Sequence, residues 1–206
     1  MVLIGQYDSP FVRRTGIALR LYDMAFEHRT WSVFGQGEAI RVLNPLMRVP
    51  NLVLDDGFVL TDSHMILDYL DGLVKAPLYP RTEPARHRAL KVATLGTGLA
   101  EKAVSLFYER VLHDVTSATR EARCASQIGS VLAALEADRA ARAGPWWFGA
   151  QISHADIAVA CALRFVTELH GQTVDLTSCP ALTAHAAACE SLPVFVEISQ
   201  AFAPPA

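Results

Sequence analysis

The sequence predicts an α/β domain followed by an all-helical domain, and three observations support this prediction. The N-terminal part alternates between short apolar runs and segments whose apolar positions recur every three or four residues. Segment 75–84 contains three prolines and no periodicity, which is typical of a linker. Every later apolar pattern is helical. We therefore assign residues 1–76 to the α/β domain, 77–85 to the linker and 86–206 to the helical domain.

The first domain begins with a strand, a helix and a second strand. Val2–Ile4 is a short apolar run that predicts a buried strand. Ser9 and Pro10 predict the start of a helix that runs to about Ala25. Serine caps free helix amides, and proline occupies a position whose amide would have no partner. Phe26–Val33, which carries three large apolar side chains, predicts the second strand.

The remainder of this domain is predicted to be a helix, a hairpin and a third helix. Gly37–Leu43 predicts a short helical or irregular piece. Asn51–Leu54 and Phe58–Leu60 flank an Asp-Gly pair that suits a tight turn, so they predict a β-hairpin. The third helix begins at Asp62 and Ser63, and its apolar positions follow a 3–4 spacing. The predicted order is therefore β-α-β-α-β-β-α.

The second domain contains only predicted helices. They cover about 83–113, 119–142, a stretch from 152 onward, 181–189 and 194–202. Ser153 and Asp156 form a capping-box pattern at the start of the third of these helices, with Ile152 and Ile157 placed as a hydrophobic staple. We interpret this pattern as a determinant of folding that has no catalytic role.

Composition and charge exclude several classes of function. The chain is 51% hydrophobic and 19% charged, which is typical of globular proteins. A net charge of −3 provides no field that would attract nucleic acid or an anionic membrane. No apolar run is long enough to span a bilayer. The seven histidines show no metal-ligand spacing, so we expect no metal.

Cysteine usage and the N-terminus predict a cytoplasmic protein. The four cysteines all lie in the second half of the chain and form no C-x-x-C pair. We therefore expect reduced thiols. The apolar start of the chain is too short for the core of a signal peptide.

The segment around Ser9 carries the first chemical signal. At the start of a helix, free backbone amides and the positive end of the helix dipole favour an anion. If that anion is a bound thiolate, its thiol pKa falls and a nucleophile becomes available near neutral pH. The Ser9 hydroxyl can donate to the sulfur, and Tyr7 is a second candidate for this contact. A Ser-Pro pair by itself is more often only a helix cap, so other segments must support the interpretation.

Two such segments follow in the same domain. The Val49-Pro50 peptide precedes a strand, and we expect it to be cis. The Val49 backbone is then free to pair with a peptide ligand. At the third helix, the Ser63 hydroxyl and nearby amides can hold a carboxylate, and Asp62 can receive an ammonium group. Together the three segments predict a site for a short peptide that bears a thiol, a carboxylate and an α-amino group.

With these motifs, the sequence resembles the cytosolic glutathione S-transferase superfamily over essentially its whole length, and most of all a bacterial-type subgroup with an S-P-F-V-R opening. The matching residues are Ser9-Pro10-Phe11-Val12-Arg13, Asn44-Pro45, Val49-Pro50, Asp62-Ser63 and Ser153 with Asp156. The resemblance implies a thioredoxin-like first domain that binds glutathione as co-substrate, a helical domain that supplies an electrophile pocket, and a homodimer. The implied activity is conjugation of glutathione, as its thiolate, to small hydrophobic electrophiles.

The resemblance also implies roles for individual residues. Ser9 would be the catalytic residue that contacts sulfur, Val49 would pair with the cysteinyl backbone, and Asp62 with Ser63 would hold the γ-glutamyl end. The implied glutathione-binding set is Ser9, Phe11, Arg48, Val49, Pro50, Asp62 and Ser63. The implied electrophile-pocket set is Tyr7, Phe11 and Tyr108. Arg48 and Gln36 are candidates for the glycine carboxylate, although the family often has glycine and lysine where this chain has Met47 and Arg48.

Two other functions stay open at this point. A thiolate bound at the site can attack a peroxide or a disulfide, which would make the protein a reductase. Serine at position 9 disfavours a mixed disulfide with the protein itself. The same fold can also serve as a non-catalytic scaffold for binding or dimerisation.

For several other side chains, the sequence suggests surface, packing or pocket positions. Arg13 and Arg20, seven residues apart on the first helix, are expected to form a solvated or interface stripe. Tyr108 is the preferred pocket residue, although an aromatic side chain on a long helix more often belongs to the core or to a dimer contact. Trp146, Trp147 and Phe148 are expected to pin a loop onto the helical core.

Overall fold

The computed structural model describes residues 1–204, which form two compact units. One unit contains residues 1–78 together with 192–204, and the other contains Tyr79–Ser191. The elements, in chain order, are β1 (Val2–Ile4), α1 (Pro10–Leu21), β2 (Glu27–Arg29), α2 (Gly37–Leu43), β3 (Asn51–Val53), β4 (Val59–Thr61), α3 (Ser63–Leu73), α4 (Ala85–Val111), α5 (Ala118–Ala140), α6 (His154–His170), α7 (Pro180–Glu190) and α8 (Pro193–Glu197). The predicted α/β domain and helical domain are both confirmed.

The first unit is built on one mixed four-stranded sheet with the order β2-β1-β3-β4. Strand β1 is parallel to β2 and antiparallel to β3, and β3 is antiparallel to β4. In this register Ile4, the last residue of β1, lies opposite Asn51, the first residue of β3. The residues that follow β1 and those that precede β3 therefore leave the sheet at the same end.

The core of the first unit lies between this sheet and helices α1 and α3. Its apolar side chains are completely buried and come from all three sources: Leu3 and Leu52 from the sheet, Val12 and Leu19 from α1, and Ile66, Leu67 and Leu70 from α3. Burial of each such side chain contributes about 1.5–3 kcal/mol to folding. This packing fixes the start of α1 and the start of α3 relative to the sheet.

Helix α1 and strand β2 are both shorter than the sequence predicts. The helix ends at Leu21 because Asp23 adopts a positive φ of 54°. The amides of Asp23 and Met24 then donate to the carbonyls of Arg20 and Leu19. This is the hydrogen-bond pattern of a Schellman motif, in which a left-handed residue turns the chain out of the helix.

The last described helix, α8, belongs to the first unit, although the sequence predicts that 86–206 form the helical domain. It also ends at Glu197, although the predicted helix continued to 202. Arg13 explains both differences, because its Nε donates to the carbonyl of Ile198 at 2.8 Å and its Nη2 to that of Phe195 at 2.9 Å. These carbonyls would accept from later amides if the helix continued. Residues 205 and 206 of the predicted domain lie outside the described part.

The second unit is formed by α4, α5, α6 and α7. Gly96 allows α4 and α6 to approach closely, because a Cβ atom there would lie 3.0 Å from the backbone of Ala158 and Val159. Helix α6 begins with the predicted capping box, in which Ser153 and Asp156 satisfy each other's backbone donors. The interpretation of this pattern as a determinant of folding is therefore supported.

Candidate functional site

Ser9 lies at the N-terminus of α1, where the sequence places it. Its Oγ accepts the amide of Val12 at 3.5 Å, which is a long and weak cap contact. Pro10 occupies the first helical position. The serine is half-buried, and because its oxygen only accepts in this contact, its hydroxyl hydrogen is available as a donor.

Gly5 brings the start of α1 and the Val49-Pro50 segment to one place. This glycine has a φ of +132°, which disfavours any other residue. A Cβ atom there would lie 2.4 Å from Val12 Cγ2 and 2.9 Å from Val49 Cβ. Val12 is one helical turn from Ser9. The first and second predicted segments therefore meet across Gly5.

The loop before β3 holds Val49 beyond the end of the sheet. The Val49-Pro50 peptide bond is cis, as the sequence analysis expects. The Arg48 carbonyl accepts the side-chain amides of Asn44 at 3.1 Å and Asn51 at 2.9 Å. Since β3 begins only at Asn51, the Val49 backbone takes no part in the strand pairing.

An arginine of α1 contacts the third predicted segment, at the start of α3. Asp62 has a positive φ of 69°, which is uncommon for a residue other than glycine and is found preferentially at functional sites. Its Oδ1 accepts the amide of His64 at 2.8 Å, so the carboxylate caps the helix. Ser63 is buried, and Nη1 of Arg14 donates to its Oγ at 3.4 Å. All three predicted segments therefore border α1.

Tyr7, the alternative sulfur contact, extends along α1 away from Ser9. Its ring stacks on His28 with centroids 3.8 Å apart and lies against Gly16, where a Cβ atom would be 2.8 Å from Tyr7 Cε1. Gly16 is seven residues beyond Ser9, a distance of about 10 Å along the helix. Burial raises the pKa of Tyr7 to about 12, the opposite of the change that a thiolate-activating phenol needs. These observations favour Ser9.

The other predicted site residues have less constrained surroundings. Phe11 is half-buried in the first turn of α1, and Arg48 is exposed. Oε1 of Gln36 accepts the amide of Ser32 at 2.9 Å, so that oxygen is already engaged. Tyr108 lies on α4 in the second unit, half-buried, with its ring centroid 5.9 Å from that of Phe107.

Two buried arginines of α1 were not recognised in the sequence. Arg13 is only 2% exposed, so the prediction of a solvated stripe is wrong for this residue. Arg14, only 1% exposed, was not singled out. Its spacing held a signal, because it lies four residues after Pro10 and four before Ala18, both on the buried face of the helix. A charged residue in phase with an apolar face indicates a specific polar partner.

Residues 1–204 contain neither a cluster suited to a metal ion nor a helix suited to a membrane. Within residues 1–204, no group of three or more His, Cys, Asp and Glu side chains is arranged to hold a metal ion. None of the helices in that range combines the length and apolar character needed to cross a bilayer.

The fold and the positions of these residues define a class of protein. A β-α-β unit followed by a β-hairpin and a helix, with a cis-proline before the third strand, is a thioredoxin-like domain, and here it precedes a helical domain. The family model described as "Glutathione S-transferase, N-terminal domain" matches residues 3–77. The model described as "Glutathione S-transferase, C-terminal domain" matches residues 118–188. The chain belongs to the cytosolic glutathione S-transferase superfamily, as the sequence motifs indicate.

Curated relatives match over part of their length. The uncharacterized GST-like protein YibF of Escherichia coli is 32% identical over 102 residues, which is 49% of this chain and 50% of that protein. Glutathione S-transferase U1 of Arabidopsis thaliana is 37% identical over 81 residues, which is 38% of this chain and 36% of that protein. The chain thus spans about half or less of the length of these relatives.

Solved structures match over nearly the whole chain. A glutathione S-transferase from Methylobacillus flagellatus with GSH bound has a TM-score of 0.88 at 25% identity, covering 96% of this chain and 98% of its own. A glutathione transferase family member from Pseudomonas fluorescens with bound glutathione has a TM-score of 0.81 at 29% identity, covering 96% and 97%. This likeness extends the family assignment to both units.

Proposed function

We propose that this protein is a glutathione S-transferase that binds glutathione beside the N-terminus of α1 and conjugates it to small hydrophobic electrophiles. The close approach at Gly5 is the observation that carries the proposal. It brings the helix turn that Ser9 caps and the unpaired Val49 backbone to one place. A thiol-bearing peptide that pairs with Val49 would then have its sulfur near the helix terminus.

The peptide ligand would use the three segments as follows. Its cysteinyl backbone pairs with Val49, in the manner of an added strand. Its γ-glutamyl carboxylate lies at Ser63, and its ammonium group lies at Asp62. Arg48 and Gln36 are the candidates for the glycine carboxylate. Phe11, in the first turn of α1, is our candidate for contact with the electrophile, whereas the Tyr7 ring lies farther along α1.

Ser9 and the helix terminus would activate the sulfur. The hydroxyl donates to the thiolate while the free amides and the helix dipole stabilise the negative charge, so the thiol pKa falls. The thiolate then attacks an electrophilic carbon, a C–S bond forms, and a leaving group such as chloride departs with its electron pair. Because binding aligns the two reactants, this reaction needs little further acid–base catalysis.

We also propose a homodimer and a cytoplasmic location. Phe58 is 62% exposed, and Met65, Tyr69 and Leu73 are 60%, 38% and 56% exposed at intervals of four residues along α3. Met65, Tyr69 and Leu73 therefore share one exposed apolar stripe of α3, a feature that typically marks an interaction surface. The four cysteines, Cys124, Cys161, Cys179 and Cys189, are all buried and form no disulfide within residues 1–204, which suits a reducing compartment.

The experiment measures retention on immobilised glutathione and then turnover of 1-chloro-2,4-dinitrobenzene. Retention with turnover supports the transferase. Retention without turnover, followed by reduction of a peroxide or disulfide panel, would support the reductase instead. A folded protein that is not retained and does not turn over any of these substrates would overturn the proposal in favour of a scaffold.

A serine variant tests the activating group directly. Loss of one hydrogen bond to a charged sulfur costs about 1.5–3 kcal/mol, so Ser9→Ala should raise the pKa of bound glutathione by about 1–2 units. The measurement is a pH titration of the thiolate absorbance of the complex. Ser117→Ala is the matched control, because Ser117 caps α5 with a similar contact of 3.4 Å to Arg120 but lies in the second unit. An unchanged thiol pKa in Ser9→Ala would exclude Ser9 as the activating residue.

A further inference from the structure

Arg14 is a buried cation whose hydrogen-bonding groups are incompletely satisfied. The side chain is 1% exposed, and Nη1 donates to Ser63 Oγ at 3.4 Å. Nε and Nη2 are buried and lack a hydrogen-bond partner within residues 1–204. Burying a charged group without partners is costly, and native proteins seldom retain such a group without a functional reason. A carboxylate that neutralised this guanidinium would normally accept a hydrogen bond from one of these two nitrogens.

Arg13, which is buried as deeply as Arg14, illustrates the contacts of a purely structural arginine. Arg13 is 2% exposed, and its Nε and Nη2 donate to the carbonyls of Ile198 and Phe195 at 2.8 and 2.9 Å. The guanidinium also lies 5.3 Å from the centre of the Phe195 ring. Arg13 therefore has a structural role that its contacts explain, whereas the contacts of Arg14 leave its charge unexplained.

We propose that Arg14 is a positioning residue for the α-carboxylate of a γ-glutamyl ligand at the N-terminus of α3. This inference rests on the proposed glutathione site and deepens it. Because Nη1 donates to Ser63 Oγ, the hydroxyl hydrogen of Ser63 must point elsewhere and is available to the carboxylate. The first amides of α3 lie at the same end of the helix and also favour an anion. The guanidinium adds a full positive charge behind the serine.

The adjacent Asp62 makes this subsite specific for an amino acid terminus. One carboxylate oxygen of Asp62 accepts the His64 amide, and the second oxygen can receive the ligand's ammonium group. The same negative charge would repel a phosphate dianion at Ser63. A carboxylate beside an ammonium group, as at the γ-glutamyl end of glutathione, suits this pair of charges.

The test compares the affinities of three ligands for the wild-type protein and for Arg14 variants. The affinities of glutathione, of 4-aminobutyryl-cysteinylglycine (which lacks the α-carboxylate) and of glutaryl-cysteinylglycine (which lacks the amino group) are measured by calorimetry. Wild-type protein should bind the decarboxylated analogue roughly 10- to 100-fold more weakly than glutathione. Arg14→Met should bind glutathione weakly and discriminate against the decarboxylated analogue less than five-fold. Discrimination against the deaminated analogue should be the same in both proteins.

Three further variants keep the outcome decisive. Arg13→Met is the matched control, which should lose thermal stability but retain discrimination against the decarboxylated analogue. Arg14→Lys should recover part of that discrimination, because it restores the charge. If Arg14→Met does not fold, Ser63→Ala replaces it and should also lose discrimination.

The possible failures are distinguishable. If wild-type protein does not bind glutathione, the proposed function fails. If wild-type protein binds glutathione and folded Arg14→Met or Ser63→Ala retains the full discrimination, the role of Arg14 is overturned while the glutathione site stands.

Discussion

Asp156 is the acidic side chain on which the start of α6 depends, and its removal should strongly destabilise the second unit. Its carboxylate is completely buried. It accepts the Trp147 amide at 2.7 Å, the Ser153 amide at 2.8 Å and the Ser153 hydroxyl at 2.6 Å. Asp156→Ala would leave two buried amides without an acceptor and would remove the capping box.

The size of the effect follows from these contacts. A hydrogen bond to a charged group contributes about 1.5–3 kcal/mol, but three bonds to one carboxylate are not additive. Breaking a buried charged network typically costs about 3–5 kcal/mol, and we expect a loss in this range. In a chain of this size each kcal/mol lowers Tm by about 2–4 °C. The melting temperature should therefore fall by about 6–20 °C.

Thermal and urea unfolding would be followed by far-UV circular dichroism and tryptophan fluorescence. Trp146 and Trp147, two of the three tryptophans, lie in the second unit, so fluorescence reports mainly on it. Asp175→Ala is the control, because Asp175 is an exposed acidic cap on Thr177 in the same unit, and its Tm should change by less than about 2 °C. An equally small change in Asp156→Ala would refute the assignment of Asp156 as the support of α6.

Four further predictions test other parts of the chain. Tyr7→Phe should leave the pKa of bound glutathione within about 0.3 unit and turnover within about two-fold of wild type, and loss of turnover in a folded variant would restore tyrosine as the activating group. Gly16→Ala should lower stability by about 1–3 kcal/mol in urea unfolding, because its Cβ would meet the Tyr7 ring at 2.8 Å. Gly72→Ala adds a methyl group to open space, so it should raise the free energy of unfolding by up to about 1 kcal/mol. Equal changes in the stability of the two variants would contradict the packing argument. Met65→Glu should convert the proposed dimer to monomer by light scattering, whereas an unchanged mass would move the interface elsewhere. Burial lowers the pKa of His185, so the unfolded chain takes up this proton first, and stability should decline as pH falls below about 6.5 by up to about 1.4 kcal/mol per unit. Urea midpoints between pH 7.5 and 5.5 should show this decline in stability. An equal decline in His185→Gln would show that His185 does not cause it.

The sequence predicts the elements of the first unit well because their signals are local. The Ser9-Pro10 cap, the Asp-Gly turn and the 3–4 spacing after Ser63 each depend on neighbouring residues, and the structure places elements at all three. The start of α6 is also local, since a capping box involves residues only three apart. Motifs that satisfy their own backbone donors can be recognised without knowledge of the tertiary fold.

Features that depend on distant partners were not predictable in the same way. The end of α8 is set by Arg13, which lies more than 180 residues earlier in the chain. The sequence around Glu197 favours a longer helix, and tertiary hydrogen bonds override that preference. Arg14 belongs to the same category, because its partner Ser63 is 49 residues away. A helical pattern shows which face of α1 is buried but does not show what a buried charge meets there.

Helix α1 connects the chemistry of the site to parts of the fold that lie away from it. Its N-terminus presents Ser9, its second turn carries Arg14 to Ser63, and the adjacent Arg13 holds α8 by two backbone carbonyls. Adjacent helical residues point about 100° apart, so the two arginines reach different neighbours from one backbone position. The packing of α1 against the sheet and α3 fixes the positions of Ser9 and Arg14. Loss of the Arg13 hydrogen bonds should therefore loosen α8 and leave Ser9 and Arg14 in place.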